Sequence, residues 1–198
     1  MGVGGWSRRD VLSGSVYATA GVSAVRLVPT ATAAESTAAS DSSVHNFVLH
    51  VNGVDRMLKV ESRATLAEVL RGPLGLTGTK IGCNRGACSA CTVWLNGTPV
   101  CSCMMFAVEV GTRAVTTIEG LARADELHPV QEAFIAHDAM QCGFCTPGMA
   151  MSAAALLEQN AKPTAADVER AISGHICRCG SYPHVVAATL AAAEARKG

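Results

Sequence analysis

Nine cysteines dominate the chemistry this chain can offer: Cys83, Cys88, Cys91, Cys101, Cys103, Cys142, Cys145, Cys177 and Cys179. The first three are spaced Cys83-x4-Cys88-x2-Cys91, the plant-type ferredoxin spacing for a 2Fe-2S cluster. The reason is geometric. A loop must bring three thiolates onto two irons and also aim backbone N–H groups at the sulfurs, because the cluster is anionic. Gly82, Gly86, Ala87, Ser89 and Ala90 are small enough to allow that approach. Cys101 and Cys103 compete for the fourth position. Two residues apart on an extended strand, they would share a face, so periodicity does not choose between them.

The second set is Cys142-x2-Cys145 followed by Cys177-x-Cys179. A Cys-x-Cys pair is uncommon in zinc sites, whose knuckles place two to four residues between cysteines. A thioredoxin-like pair at Cys142 and Cys145 would need a βαβ setting, and this segment reads as helical. Covalent haem is excluded at both Cys-x-x-Cys sites, since Thr92 and Thr146 stand where histidine is required. A disulfide framework fits poorly with an odd count in tight clusters.

The remaining composition is bland. Sixteen basic residues balance sixteen acidic ones and only 4% of residues are aromatic, so no nucleic-acid surface is expected. The six histidines show no metal-binding pairing and read as surface or interface residues. The Met104-Met105-Phe106 run reads as core or subunit interface. No G-x-G-x-x-G strand–helix fingerprint for flavin or nicotinamide is present. Near the N-terminus, Ser7-Arg8-Arg9-Asp10-Val11-Leu12 precedes a weakly apolar stretch interrupted by Arg26, then Ala31-Thr32-Ala33. This predicts a twin-arginine signal over residues 1–33, cleaved after a small-residue site, and a periplasmic protein with no membrane span in the mature chain. That export route carries folded proteins, which suits a cofactor inserted before export. Residues 34–44 read as a Ser/Ala-rich linker.

The elements that must position the cysteines follow from turn and cap signals. Asn46–Val51 and Arg56–Val60 predict a hairpin about Asn52-Gly53. Thr65 caps a short helix that Gly72-Pro73 ends. Thr92–Leu95 and Val100–Cys103 predict a second hairpin about Asn96-Gly97, and Val115–Ile118 a further strand. Helices are expected over His128–His137, Gly148–Asn160, Ala165–Ser173 and Tyr182–Lys197. The chain is thus α+β, with a β-rich half and a helical half, each holding one cysteine set.

Three motifs in this order resemble the small iron–sulfur subunit of the xanthine dehydrogenase/aldehyde oxidoreductase (molybdenum hydroxylase) family: Gly82-Cys83-Asn84-Arg85-Gly86-Ala87-Cys88-Ser89-Ala90-Cys91, Gln141-Cys142-Gly143-Phe144-Cys145-Thr146-Pro147-Gly148, and Gly174-His175-Ile176-Cys177-Arg178-Cys179-Gly180. Thr116-Thr117-Ile118-Glu119-Gly120 and His128-Pro129-Val130-Gln131 match as well, and periplasmic aldehyde oxidoreductase subunits look most alike. The resemblance implies a ferredoxin-like β-grasp domain over 45–121 and an all-helical four-helix 2Fe-2S domain over 122–198. It implies one cluster on Cys83, Cys88, Cys91 and Cys103 and another on Cys142, Cys145, Cys177 and Cys179, leaving Cys101 spare. Gln141 and Cys179 are implied to contact the molybdenum-pterin cofactor of a large partner subunit. Electrons would pass from molybdenum through both clusters to an acceptor, a separate FAD subunit or a cytochrome. Aldehyde oxidation is the expected overall reaction; a purine or N-heterocycle hydroxylase and a stand-alone exported ferredoxin-type shuttle are the alternatives. Ser89 departs from the usual glycine and is expected to add a hydrogen bond that alters the potential.

Overall fold

The computed structural model describes residues 43–123 and 126–196. The expected twin-arginine segment, and all of the expected linker except Ser43 and Val44, lie outside them. The described residues belong to one compact unit. Among the described residues, no helix is long and apolar enough to cross a membrane.

The first half is a five-stranded sheet in the order β2-β1-β5-β3-β4. Strands β1 (Val44–Val51) and β2 (Val54–Glu61) form an antiparallel hairpin in which Val51 faces Val54. Asn52 and Gly53 both take the left-handed backbone, at φ 51° and 77°, as a two-residue hairpin turn requires. Strands β3 (Thr92–Leu95) and β4 (Thr98–Cys101) repeat the device at Asn96-Gly97, with φ 49° and 80°. The two-residue strand β5 (Val115–Thr116) joins the hairpins, pairing parallel to β1 and antiparallel to β3. Helix α1 (Leu66–Arg71) packs across this sheet. Thr65 and Glu68 cap it reciprocally, and its Leu66, Val69 and Leu70 meet Leu49, Val93 and Val115 in the core.

The second half has four helices: α2 (Pro129–Ala136), α3 (Thr146–Gln159), α4 (Ala165–Ile172) and α5 (Tyr182–Ala195). Helix α3 is the hub. Its alanines, Met149, Met151 and Leu157 are buried against Phe134, Ile172, Val185 and Ala192. Small side chains let the helices approach closely while still removing apolar surface from water. His128 and Gln131 make a capping box on α2, Thr164 and Asp167 one on α4.

Side-chain bonds fix the segment leading into the helical half and then join the two halves. The Asn52 side chain bonds both the N–H and the hydroxyl of Thr117. Glu119 accepts from the Gly78 N–H just ahead of the first cysteine loop. Gln131 donates to the Ile118 carbonyl at 3.0 Å, and Trp94 Nε1 to the Met151 carbonyl at 2.9 Å. The Thr116–Gly120 and His128–Gln131 motifs are therefore the clamps of the junction.

Candidate metal centres

The first cysteine loop alternates backbone hands. Asn84, Gly86 and Ser89 lie at φ 50°, 72° and 55°, and such reversals turn successive N–H groups toward one concavity, a nest for negative charge. The N–H groups of Arg85 and Ala87 donate to Cys83 Sγ at 3.4 and 3.2 Å, and that of Gly86 to Cys103 Sγ at 3.4 Å. The thiols stand in two pairs, Cys83 with Cys88 and Cys91 with Cys103. The Arg85 N–H, helped by the Cys88 thiol and the Ala87 and Cys88 backbone, draws the Cys83 pKa down to about 7. Burial, added to the neighbouring Cys91 and Cys83 charges, pushes Cys103 up to about 11 despite the Gly86 N–H.

The extended strand expected through Cys103 is not formed. Strand β4 stops at Cys101, and a 3-10 turn over Ser102–Met104 follows. Ser102 is fully buried and donates to the Cys91 carbonyl at 2.7 Å, which pins the turn. Cys103 is buried beside Cys91, whereas Cys101 Sγ faces the Ser89 hydroxyl at 3.8 Å. The Ser89 hydroxyl thus engages Cys101. Met105 packs on the sheet core, while Met104 and Phe106 are exposed.

The second set is built by helix ends. Helix α3 starts two residues earlier than its sequence suggests, at Thr146, with Cys145 as its N-cap and Pro147 in the first turn. Helix α5 starts immediately after the Cys177–Cys179 loop, at Tyr182. The positive ends of two fourteen-residue helices therefore lie beside these thiols, and such ends favour negative charge. Pairing recurs here, Cys142 with Cys179 and Cys145 with Cys177. The Phe144 N–H, then the Cys179 thiol, lowers the Cys142 pKa. Burial, with the Cys177 thiol and charge, raises Cys145 to about 11. At Cys177 burial pushes up, but the Ser181 hydroxyl and backbone, the Cys145 thiol and the Cys179 backbone outweigh it and bring it to about 7. The Tyr182 hydroxyl staples the loop, accepting from the Cys177 N–H and donating to the His175 carbonyl, both at 2.8 Å.

Among the described residues, no three His, Cys, Asp or Glu side chains converge on one point as a mononuclear metal site requires. Two thiol pairs per set, with N–H donors on the sulfurs, suit a dinuclear 2Fe-2S unit, in which each iron takes two protein sulfurs. Both sets meet at the junction, where the Ile176 N–H donates to the Cys88 carbonyl at 3.2 Å. His175 departs from the surface role expected of the histidines: it is buried and bonded to the Ser152 hydroxyl at 2.7 Å. Gln141 is exposed next to the exposed Cys142, and Met140, Phe144 and Ile176 are exposed around them. No thiol lines the open groove of about 680 Å³ bordered by Trp94, Glu158 and Arg196.

Comparison with known proteins agrees with this arrangement. Residues 49–115 match the 2Fe-2S iron-sulfur cluster binding domain family and residues 117–190 the 2Fe-2S binding domain family. The chain is 40% identical to the aldehyde oxidoreductase iron-sulfur-binding subunit of Escherichia coli, over 92% of this chain and 86% of that one. It is 46% identical to the nicotine 6-hydroxylase small subunit of Paenarthrobacter nicotinovorans, over 72% of this chain and 86% of that one. Quinoline 2-oxidoreductase of Pseudomonas putida 86 superposes with a TM-score of 0.75 at 41% identity, over 79% of this chain and 99% of the matched one. With both domains in order and relatives covered almost end to end, the chain belongs to the iron–sulfur subunit family of the molybdenum hydroxylases.

Proposed function

We propose that Cys83, Cys88, Cys91 and Cys103 hold one 2Fe-2S cluster and that Cys142, Cys145, Cys177 and Cys179 hold the other. The observation that carries this reading is the two-by-two pairing of thiols in each set, with backbone N–H groups already aimed at the sulfurs. The chain is an electron-transfer subunit of a molybdenum hydroxylase, and a bound 2Fe-2S cluster supplies one-electron reduction and reoxidation. The chain's own residues do the rest. N–H donors from Arg85, Gly86 and Ala87 and the first turns of α3 and α5 lower the cost of added negative charge. Burial of Cys91, Cys103 and Cys145 keeps water from the sulfurs. The hydrogen bond from Ile176 to Cys88 links the two loops by a short chain of covalent bonds and one hydrogen bond.

Electrons enter, on this reading, at the helical set. The exposed ring of Met140, Gln141, Phe144 and Ile176 is the face offered to the large molybdenum subunit, with Gln141 and Cys179 reaching the pterin. They leave from the ferredoxin-type set, where exposed Met104 and Phe106 flank the route to an FAD subunit or a cytochrome. The substrate is an aldehyde. In support, the similarity to the aldehyde oxidoreductase subunit of Escherichia coli extends over 92% of the chain. A second reading, N-heterocycle hydroxylation, is favoured by the 46% identity to the nicotine 6-hydroxylase small subunit. Assaying the purified complex with benzaldehyde, nicotine and hypoxanthine tests the substrate class; turnover of nicotine without benzaldehyde would reverse the choice. Arg8 and Arg9 direct folded export to the periplasm, with cleavage near Ala33. Replacing both by Lys is expected to trap the complex in the cytoplasm, and undiminished export would reject that assignment.

Ligand choice is tested directly by substitution. Cys103→Ser is expected to abolish the ferredoxin-type EPR signal and Cys101→Ser to leave both signals. The opposite pattern would assign Cys101 to the cluster.

A further inference from the structure

We propose that the Ser181 hydroxyl donates a hydrogen bond to the Cys177 sulfur and thereby raises the reduction potential of the helical-domain cluster. This rests on the reading that Cys142, Cys145, Cys177 and Cys179 hold that cluster. Ser181 is 2% exposed, and its Oγ lies 3.2 Å from Cys177 Sγ. A thiol could donate in either direction, but an iron-bound thiolate has no proton, so in the loaded protein only the serine O–H can donate.

The placement is unusual for a serine. Ser181 occupies the N-cap position of α5, where a serine side chain ordinarily accepts from the helix's own free N–H groups. Here it makes no such bond, and its backbone, at φ −75° and ψ 1°, is not in the extended conformation that capping uses. Pro183 removes one of the N–H groups from which an N-cap oxygen ordinarily accepts. The side-chain contact the hydroxyl makes is with sulfur, and it makes none with the helix's own N–H groups. The ferredoxin-type set differs: its sulfurs receive N–H donors from the backbone of Arg85, Gly86 and Ala87, which a side-chain change other than to proline leaves in place. Ser89, the corresponding hydroxyl near that set, faces Cys101 instead.

A hydrogen bond to a ligand sulfur strengthens as charge accumulates on it, so it stabilises the reduced form and raises the potential. Ser181 acts through Cys177 and is a positioning residue. It makes the helical-domain cluster, the one facing the molybdenum subunit on the reading above, readier to accept an electron than it would be without the hydroxyl.

The test is an EPR-monitored redox titration of the purified complex carrying wild type, Ser181→Ala, Ser181→Gly or Ser181→Thr chains. Ala and Gly are expected to shift the electron's equilibrium away from the helical-domain cluster about tenfold, equivalent to about 59 mV for one electron. Thr, which keeps the hydroxyl, is expected to retain the wild-type potential, and the ferredoxin-type signal is expected not to move in any variant. Gly is included because it is accepted at an N-cap, so assembly does not hinge on the Ala variant. An unmoved helical-domain potential in Ala or Gly, or a common shift of both signals, would overturn the proposal. So would failure of both variants to assemble a cluster that Thr assembles, because the hydroxyl would then serve assembly. Absence of the helical-domain cluster from the wild type would instead reject the ligand reading beneath it.

Discussion

Replacing Gly148 by alanine probes a close approach between the two halves. Gly148 lies in the first turn of α3, and a Cβ there would sit 2.4 Å from the Ser89 carbonyl oxygen and 3.3 Å from two backbone atoms of Ala90. Ordinary contact begins at 3.4 Å, so about 1 Å must be found by moving one element from the other. Neither neighbour yields easily, because both are backbone. The Ser89 carbonyl is held by the Thr92 N–H at 3.2 Å and the Thr92 hydroxyl at 2.7 Å. Overpacking of this kind costs about 1–3 kcal/mol. Opening the gap also stretches the Ile176–Cys88 hydrogen bond, worth about 1 kcal/mol. Against this, glycine-to-alanine in a helix gains at most about 1 kcal/mol. The net is a loss of about 2 kcal/mol, and at about 2–4 °C per kcal/mol for a chain of this size the melting temperature falls about 4–8 °C. Scanning calorimetry of the purified complex reads it, with Gly174→Ala as the control, since its Cβ would meet only the Ser89 hydroxyl at 3.4 Å. Equal stability of the Gly148 and Gly174 variants would refute the tight seating of α3 on the cysteine loop.

Other outcomes follow from the same contacts. Ser89→Gly relieves a left-handed serine at φ 55° and is expected to stabilise the chain by about 1 kcal/mol. It should leave both cluster potentials unchanged, because the hydroxyl faces Cys101; a shifted ferredoxin-type potential would contradict that placement. Ser152→Ala takes from buried His175 the partner of its Nε2, while Nδ1 already has none. The expected cost is about 1–3 kcal/mol in thermal or denaturant unfolding, and a neutral result would mean that the ring finds another partner.

The features legible in the sequence are those set by local chemistry. Asn52-Gly53 and Asn96-Gly97 mark hairpins because their left-handed backbone is cheap for those residues, and Thr65 marks a helix start because its side chain can cap the first turn, a cap that Glu68 completes reciprocally in the structure. The cysteine spacings convey loop geometry directly. What escaped depends on distant partners. The turn at Ser102–Met104 is fixed by the Cys91 carbonyl, eleven residues away from Ser102, so no local pattern separates Cys101 from Cys103. His175 is buried by the approach of Ser152 on α3, and its sequence neighbours carry no sign of it. Ser181 stands at an N-cap position, so its attachment to sulfur is hidden behind a commonplace role. The early start of α3 was obscured by Thr146-Pro147, which resembles a loop but occupies a first turn that tolerates proline.

The central claim, that each cysteine set holds its own 2Fe-2S cluster, is tested most directly by iron and acid-labile sulfide per chain with EPR of the dithionite-reduced complex. Two clusters predict four irons, four sulfides and two distinct signals, in keeping with the two matched 2Fe-2S domains. Two irons with one signal, or zinc without sulfide, would contradict the account.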